Sequence, residues 1–372
     1  MDRTLPKHRE ISRELLADIA SGRYAGGKVP SEAQLVKRFG VSRPTVARAL
    51  RDLQAEGLIE RRAGSGTFVK APNASPGTPS RQLGLLVPER GTTEIFEMIC
   101  GEISSLARAH DYALLYGGSA LPGTESDGSE RHAWAMCEQF IARAVQGVFF
   151  APFELSGGGA AANRRIADAL GSAGIPLILL DRDIVPFPQR SRFDLVGVDN
   201  VGGAYQLAEH LIKLGCRRIA FLARPGHAPT VDARIAGVRE ALARQEQASP
   251  TDWVRIGEAS NVAFVRERLV GEKWEAVICG NDVTAAQLLR TLEKLGTKVP
   301  DRIRVVGFDD ANFASLLGVT LTTLQQPTRD IAVAAFAALN DRLAQPALPA
   351  RTVLLAGRLV VRESCGAYLP RD

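Results

Sequence analysis

Pro-Ser-Glu-Ala-Gln-Leu at 30–35, Phe-Gly-Val-Ser-Arg-Pro-Thr-Val-Ala-Arg-Ala-Leu at 39–50 and Gly-Leu-Ile-Glu-Arg-Arg-Ala-Gly-Ser-Gly-Thr-Phe-Val at 57–69 decide the first part of the fold. Ser31 with Gln34 three residues on fits a capping box, and Leu35 gives that helix an apolar side. Phe39-Gly40-Val41 supplies a tight turn. Ser42 opens a second helix and Pro44 is tolerated in its first turn. Val46, Ala49, Leu50 and Leu53 then repeat at helical spacing until Gly57 stops it. This buried stripe leaves Arg43, Thr45, Arg48 and Arg51 outside. Leu58–Arg62 and Thr67–Lys70 read as two short strands around Ala63-Gly64-Ser65-Gly66. Upstream, Ile11, Leu15, Leu16 and Ile19 form one face of a support helix over 5–21. Helix, helix-turn-helix and hairpin together predict a winged helix.

The outward arginines suit a helix lying in the DNA major groove. Its first turn offers free N–H groups and a positive dipole end to phosphate, and arginine can fork onto guanine. Small residues at the hairpin tip let backbone approach a duplex closely. Residues 5–70 resemble the GntR-family DNA-binding domain, through Pro-Ser-Glu, Val-Ser-Arg-x-Thr-Val and the terminal Gly-x-Gly-Thr-Phe-Val. Ala33 and Ala47 stand where many members carry arginine, so the family's contacts transfer only position by position. The resemblance and the local pattern together nominate Ser31, Glu32, Ser42, Arg43, Pro44, Thr45 and Arg48, with Arg62, Gly64, Ser65, Gly66 and Thr67 of the wing, as DNA-facing.

Charge agrees with this division. Residues 1–82 hold fifteen Lys and Arg against eight Asp and Glu, whereas the rest holds 31 against 33. The basic excess therefore sits on the expected DNA-binding part. Cys100, Cys137, Cys216, Cys279 and Cys365 are scattered, with no Cys-x-x-Cys, so neither zinc nor a disulfide framework is indicated. Histidines 8, 110, 132, 210 and 227 form no ligand-spaced cluster. His-Glu-x-x-His, Gly-x-x-x-x-Gly-Lys-Ser/Thr and Gly-x-Ser-x-Gly are all missing. No enzyme, metal or cofactor is expected. A charged N-terminus and the lack of a long apolar run point to a cytoplasmic protein without a membrane partner.

A chain of 372 residues has room for about two or three domains. Residues 1–70 form the first, and 71–82, with three prolines and small polar residues, read as a linker. From 83 to 366 the texture becomes short apolar runs separated by helical patterns, as a parallel sheet covered on both faces requires. Strands are predicted at 83–87, 112–116, 147–150, 176–180, 195–198, 218–222, 276–279 and 303–307, with the last strands around 353–361. Helices are predicted at 95–109, 133–144, 204–214 and 283–295. Phe149 and Phe150, inside one strand, should face opposite sides. The fold class is α/β, an N-terminal winged helix-turn-helix plus a two-lobed effector domain with parallel sheets covered by helices.

Gly-Ile-Pro-Leu-Ile-Leu-Leu-Asp-Arg at 174–182, Val-Gly-Val-Asp-Asn at 196–200, and Ala-Glu-His-Leu-Ile-Lys-Leu-Gly-Cys-Arg-Arg-Ile-Ala-Phe at 208–221 resemble the LacI/GalR effector domain, itself similar to periplasmic sugar-binding proteins. Arg234-Ile-Ala-Gly-Val, Cys279-Gly-Asn-Asp, Arg304-Val-Val-Gly-Phe-Asp-Asp and Leu321-Thr-Thr-Leu-Gln-Gln-Pro extend the likeness. A GntR-type head on a LacI-type body resembles the arabinose repressor group. The resemblance implies two lobes joined by three crossing segments, placed near 183–193, 311–321 and 344–349. It also implies ligand-facing residues Arg182, Arg234, Asn281, Asp309 and Gln326, with Glu94 adding an acceptor, Asp282 in support and Phe96 or Phe313 as stacking surfaces. Carboxylates and amides accept from hydroxyls while guanidinium donates to vicinal oxygens, which suits a polyol.

The head and the body together imply a ligand-responsive regulator: a homodimer through the effector domains that binds palindromic double-stranded operator DNA and is released by a small sugar, a pentose first. A purine, a sugar phosphate or a glycoside are the alternative effectors, and a non-regulatory sugar-binding protein is the alternative class.

Overall fold

The computed structural model describes residues 28–55, 59–62, 66–69, 81–87, 94–118, 126–244 and 252–369, with positions 7, 11, 12, 14, 15, 18 and 24 upstream. The chain divides into two compact units, residues 1–80 and 81–372. The wing-tip residues Gly64 and Ser65, most of the expected linker, and the side chain of Arg62 lie outside the described part.

In the first unit, α1 (Glu32–Phe39) carries the capping box that the sequence predicts. Gln34 N donates to Ser31 Oγ at 3.4 Å, and Ser31 N donates to Gln34 Oε1 at 2.8 Å. Gly40 ends the helix with φ of 62°, a left-handed conformation in which a Cβ is strained. That single residue turns the chain into α2 (Arg43–Ala55). Leu35, Val46, Ala49, Leu50 and Leu53 meet Ile11 and Leu15 of the upstream segment in one buried cluster. The wing has one strand more than the sequence predicts. β1 (Lys28–Val29) pairs antiparallel with β3 (Gly66–Val69), which in turn pairs with β2 (Ile59–Arg62). Two residues are too short a run to show alternation, and only the neighbouring hairpin makes them a strand.

The second unit holds two parallel sheets. The first contains β4 (Gln82–Val87), β5 (Ala113–Gly118), β6 (Gly147–Phe150), β7 (Leu177–Leu180), β8 (Asp194–Val198) and β14 (Thr352–Leu355), in the order β14-β8-β7-β6-β4-β5. On one face lie α3 (Glu94–Ala109) and α10 (Thr328–Ala344), and on the other α4 (Ser126–Ala142) and α5 (Gly159–Ser172). Phe149 joins the core under α3 and α10, stacking on Phe336 at 6.1 Å, whereas Phe150 joins the core under α4 and α5. The strand period of two thus splits these neighbours as expected.

The second sheet runs β10-β9-β11-β12, from β9 (Ile219–Ala223), β10 (Val254–Ile256), β11 (Ala276–Cys279) and β12 (Arg304–Val306). Its helices include α6 (Asn200–Lys213), α7 (Pro229–Ala243), α8 (Val262–Val265) and α9 (Asp282–Lys294). Gly237 lets α7 pack against the start of α6, since an added Cβ would lie 2.0 Å from Val201 O. A third, two-stranded ribbon pairs β13 (Thr323–Gln325) with β15 (Arg358–Val360).

This topology corrects all three crossings. Residues 183–193 connect β7 to β8 inside the first sheet, and the chain leaves that sheet after Val198, at Asp199-Asn200. Residues 311–321 stay with the second lobe, and the return is at Gln326-Pro327, ahead of α10. Residues 344–349 link α10 to β14 within the first lobe, and the last crossing is at Ala356-Gly357, between β14 and β15. The three stretches expected from the resemblance fall largely in connections between regular elements, but a connection within a lobe looks the same in sequence as one between lobes. Two predicted helices also start earlier than their apolar periodicity indicates. α6 begins at Asn200 because Asp199 Oδ1 accepts from Gly202 N at 2.9 Å, and α4 begins at Ser126 rather than Ala133.

Candidate functional site

In the first unit, α2 buries Val46, Ala49, Leu50 and Leu53 and leaves Arg43, Pro44, Arg48 and Arg51 exposed. None of these three arginines has an ion-pair or hydrogen-bond partner among the described residues. Surface arginines elsewhere in the chain do find carboxylates, as Arg192 does with Asp168 at 3.1 Å. Ser42 and Thr45 hydroxyls bond to each other at 2.8 Å beside these cations. Ser31 is exposed and Glu32 half-buried at the start of α1. Gly66 and Thr67 begin β3, with Lys28 packed over the Phe68 ring at 5.8 Å. The result, among the described residues, is one helix face carrying unneutralised positive charge.

The second unit holds a cavity of about 370 Å³ where the carboxyl ends of both parallel sheets face each other. Glu154 follows β6, Asp181 and Arg182 follow β7, Arg224 follows β9, Gly280 and Asn281 follow β11, and Asp309 follows β12. This is where an open α/β sheet exposes loops and helix starts to a ligand. Six expected residues line the cavity: Phe96, Arg182, Arg234, Asn281, Asp309 and Gln326. Three do not. Asp282 lies beneath, fully buried, accepting from Ala311 N at 2.9 Å and Thr323 Oγ1 at 2.6 Å. Glu94 Oε2 accepts from Asn312 N at 2.6 Å, joining α3 of the first lobe to a turn of the second. Phe313 sits half-buried in that turn, away from the cavity, because the 3-10 geometry of Asn312–Ser315 turns it outside the lining.

Arg234 is the most constrained group in the cleft, at 4% exposure. Nε donates to Asn200 Oδ1 at 2.8 Å and Nη1 to Gly280 O at 2.6 Å. The guanidinium stacks 3.6 Å from the Phe308 ring centroid and lies 3.8 Å from Asp309 Oδ1. Burial pulls the Arg234 pKa down, against the pull of Asp309 and Asp181. The same burial pushes the Asp309 carboxyl up to about 7, opposed by the Arg234 charge and by Gln326 Nε2 donating at 2.8 Å. Asp282 is pushed up to about 6, again by burial, with the Thr323 and Ala311 hydrogen bonds opposing. Asp309 has φ of 129°, a region favoured by glycine, so the backbone holds this carboxylate in a strained turn.

Arg182 works from the other lobe. Nε donates to Asp181 Oδ2 at 3.1 Å, the guanidinium faces Phe96 at 5.5 Å, and the buried Nη1 has no hydrogen-bond partner among the described residues. Asn281 caps α9, its Oδ1 accepting from Thr284 N at 2.9 Å and Thr284 Oγ1 at 2.7 Å, which orients its amide NH2 away from the helix start. The cleft therefore keeps oriented donors on opposite walls.

Several lining residues were not anticipated: Glu154, Arg224, His227, Thr230, Glu258 and Gln287. Glu154 forms an ion pair with Arg224, bridging the two lobes, and His227 joins Arg224 O to Asp232 Oδ1, each at 3.0 Å. Arg224 immediately follows β9, so position after a strand end was a usable signal. Glu258 and Gln287 carry none, being single polar residues in otherwise ordinary surface stretches.

The bacterial GntR regulatory family model matches residues 7–69, and a periplasmic binding protein-like domain model matches residues 208–365. The chain is a GntR-type head fused to a periplasmic-binding-protein-like effector body. As a whole it is similar to the arabinose metabolism transcriptional repressor of Geobacillus stearothermophilus, at 28% identity over 98% of each chain. The structure is similar in fold to the transcriptional regulator CelR in its cellobiose complex, at 23% identity, 87% of this chain, 91% of that one and a TM-score of 0.64. A ribose-bound LacI-family regulator from Enterococcus faecium matches 76% of this chain and 98% of its own, with a TM-score of 0.59 at 24% identity. These relatives are transcription regulators. No described helix is long and apolar enough to cross a membrane.

Proposed function

We propose that this GntR–LacI fusion is a one-component repressor of carbohydrate-utilisation genes that releases its operator when a small sugar fills the effector cleft. The observation that carries the reading is one chain with three unpartnered arginines on a helix of the head, counted among the described residues, and a polar interlobe cavity in the body. Arg43 and Thr45 read or position at the major groove, while Arg48 and wing residues Arg62, Ser65 and Thr67 hold phosphate or the adjacent minor groove. Two heads in a homodimer joined through the bodies face two half-sites, so the operator is palindromic.

In the cleft, Arg182 and Arg234 donate to vicinal hydroxyls from opposite walls, and Asp309, Asn281 and Gln326 complete the polar set. The balance of charge favours a neutral ligand over a sugar phosphate. Arg182, Arg224 and Arg234 are faced by Glu154, Asp181, Glu258 and Asp309, which leaves no cationic surplus for a phosphate dianion. A pentose leads, in keeping with the full-length similarity to the arabinose repressor. Sugar contacts to both lobes favour the closed cleft, and the coupling to DNA is typically about 1–3 kcal/mol.

The test is thermal unfolding of the full chain with L-arabinose, other pentoses, hexoses, cellobiose, sugar phosphates and purines. A sugar giving a saturable rise in melting temperature names the effector, because a ligand bound by the folded state alone stabilises it. It should then release the promoter fragment in a gel-shift assay. A response confined to a purine or a phosphate would overturn the neutral-sugar assignment.

A further inference from the structure

Behind the effector cleft, on the far side of Asp181, Arg182 and Thr230, lies a second cavity of about 140 Å³. Its walls come from both lobes. The β7–β8 connection and β14 supply Phe187, Arg190 and Leu354, and the starts of α6 and α7 supply Val201, Thr230 and Ala233. The first crossing, Asp199-Asn200, forms part of its lining. Nine large apolar side chains are exposed among the described residues, and three of them converge here: Phe187 at 40%, Val201 at 38% and Leu354 at 50%. Scattered apolar exposure needs no explanation, but convergence on one concave site does.

The size and chemistry of the cavity select a ligand class. An apolar cavity of about 150 Å³ accommodates a benzene ring, so this one holds a single ring and not a sugar dimer or a nucleobase with its ribose. Charge selects a neutral molecule. Arg190 already pairs with Asp183 at 3.0 Å and donates to Thr352 Oγ1 at 2.5 Å, and Arg182 pairs with Asp181. Asp199 is committed to Gly202 N at the start of α6. Both arginines of this lining already sit against a carboxylate, and the additional carboxyl of Asp199 disfavours an anion. Thr230, which borders both cavities, has no hydrogen-bond partner for its hydroxyl among the described residues and is free to meet a ligand hydroxyl.

The geometry points to a second small-molecule site at the hinge, taking a neutral single-ring phenol-type compound whose hydroxyl meets Thr230 and whose ring packs among Phe187, Val201 and Leu354. Both lobes build the site, so its shape changes as they rotate. A ring seated there holds the lobes at the angle seen here, and by linkage its occupancy and that of the effector cleft affect each other. The site itself does not depend on the identity of the effector.

The experiment is fluorine NMR of 4-fluorophenol titrated with the full-length protein, without any sugar. Saturable binding is expected. Val201→Trp, which fills the cavity from an exposed position, and Leu354→Ser, which removes one apolar wall, should each weaken it about tenfold, the worth of one such side chain's burial. Gln287→Trp, which obstructs the effector cleft from an exposed position outside the hinge cavity, should retain it. Circular dichroism melts establish that each variant is folded, and the second hinge variant serves if the first is not. No saturation in the millimolar range would overturn the proposal. So would loss of binding in Gln287→Trp with retention in Val201→Trp, which would put the ring in the effector cleft.

Discussion

Arg48→Ala isolates the DNA reading, because Arg48 is exposed on α2 and has no partner among the described residues. With nothing in the fold to lose, the substitution should leave the melting temperature of the protein within about 1 °C, as for surface changes that break no contact. Its effect on DNA is set by counting. Arg43, Arg48 and Arg51 project from the head, so the two heads of the proposed dimer would present six guanidiniums to the duplex. Each phosphate neutralised contributes about 0.9 to the slope of log affinity against log salt. Removing Arg48 from both heads should therefore reduce that slope by about 1.8. Between 50 and 200 mM salt, wild-type affinity should fall about twelvefold more than the variant's. Fluorescence anisotropy on a labelled duplex at four or five salt concentrations measures both slopes. A reduction of about 0.9 would mean that one head engages per complex. An unchanged slope with unchanged affinity would refute the placement of α2 against the backbone.

Three further outcomes concern the body of the protein. Arg234→Ala should abolish the sugar-induced rise in melting temperature while DNA affinity in the absence of sugar stays within about twofold, since the two sites lie in separate compact units. Asp282→Ala strands the Ala311 N–H and the Thr323 hydroxyl in a fully buried place. The cost should be about 3 kcal/mol, or roughly 6 to 12 °C in melting temperature, with no change if the carboxylate is dispensable. Asp309 supplies a pH dependence: with its carboxyl raised to about 7 by burial, the folded state keeps a proton that the unfolded chain releases near the ordinary carboxylate range. Its contribution to stability is full below about pH 4 and declines by up to ~4 kcal/mol as pH rises through 7. Asp309→Asn should flatten urea-unfolding free energy against pH over that window; an identical slope would mean the carboxyl ionises freely.

Much of the head was legible because its signals are local. The Ser31–Gln34 box, the Gly40 turn and the Val46-Ala49-Leu50-Leu53 stripe each act within a few residues, and each appears in the structure where its spacing places it. The strands of the body were legible for a related reason: a strand covered on both faces must be apolar throughout. The missed strand at Lys28–Val29 exists only because β3 is there to pair with it. The three crossings were misplaced for the same kind of reason. Whether β8 or β14 belongs to the first sheet is decided by the register Thr352↔Leu195, a contact across more than 150 residues that no window of sequence contains.

The cleft shows the same division residue by residue. Arg182, Arg234, Asn281 and Asp309 stand in recognisable phrases just past strand ends or within helix starts, and strand ends of an α/β sheet converge on one face. Glu94 stands at an equally conspicuous helix start, yet it reaches Asn312 of the opposite lobe instead of the cavity, and Glu154 meets Arg224 only because the lobes face each other. By itself the sequence determined the winged helix, the alternation of strand and helix, and the residue types available for polyol recognition, since capping, periodicity and strand-end placement act over a few residues. Tertiary structure alone decided which loops cross between lobes, which polar groups converge, and that burial beside Arg234 lifts the Asp309 carboxyl, because these depend on distances between segments remote in the chain.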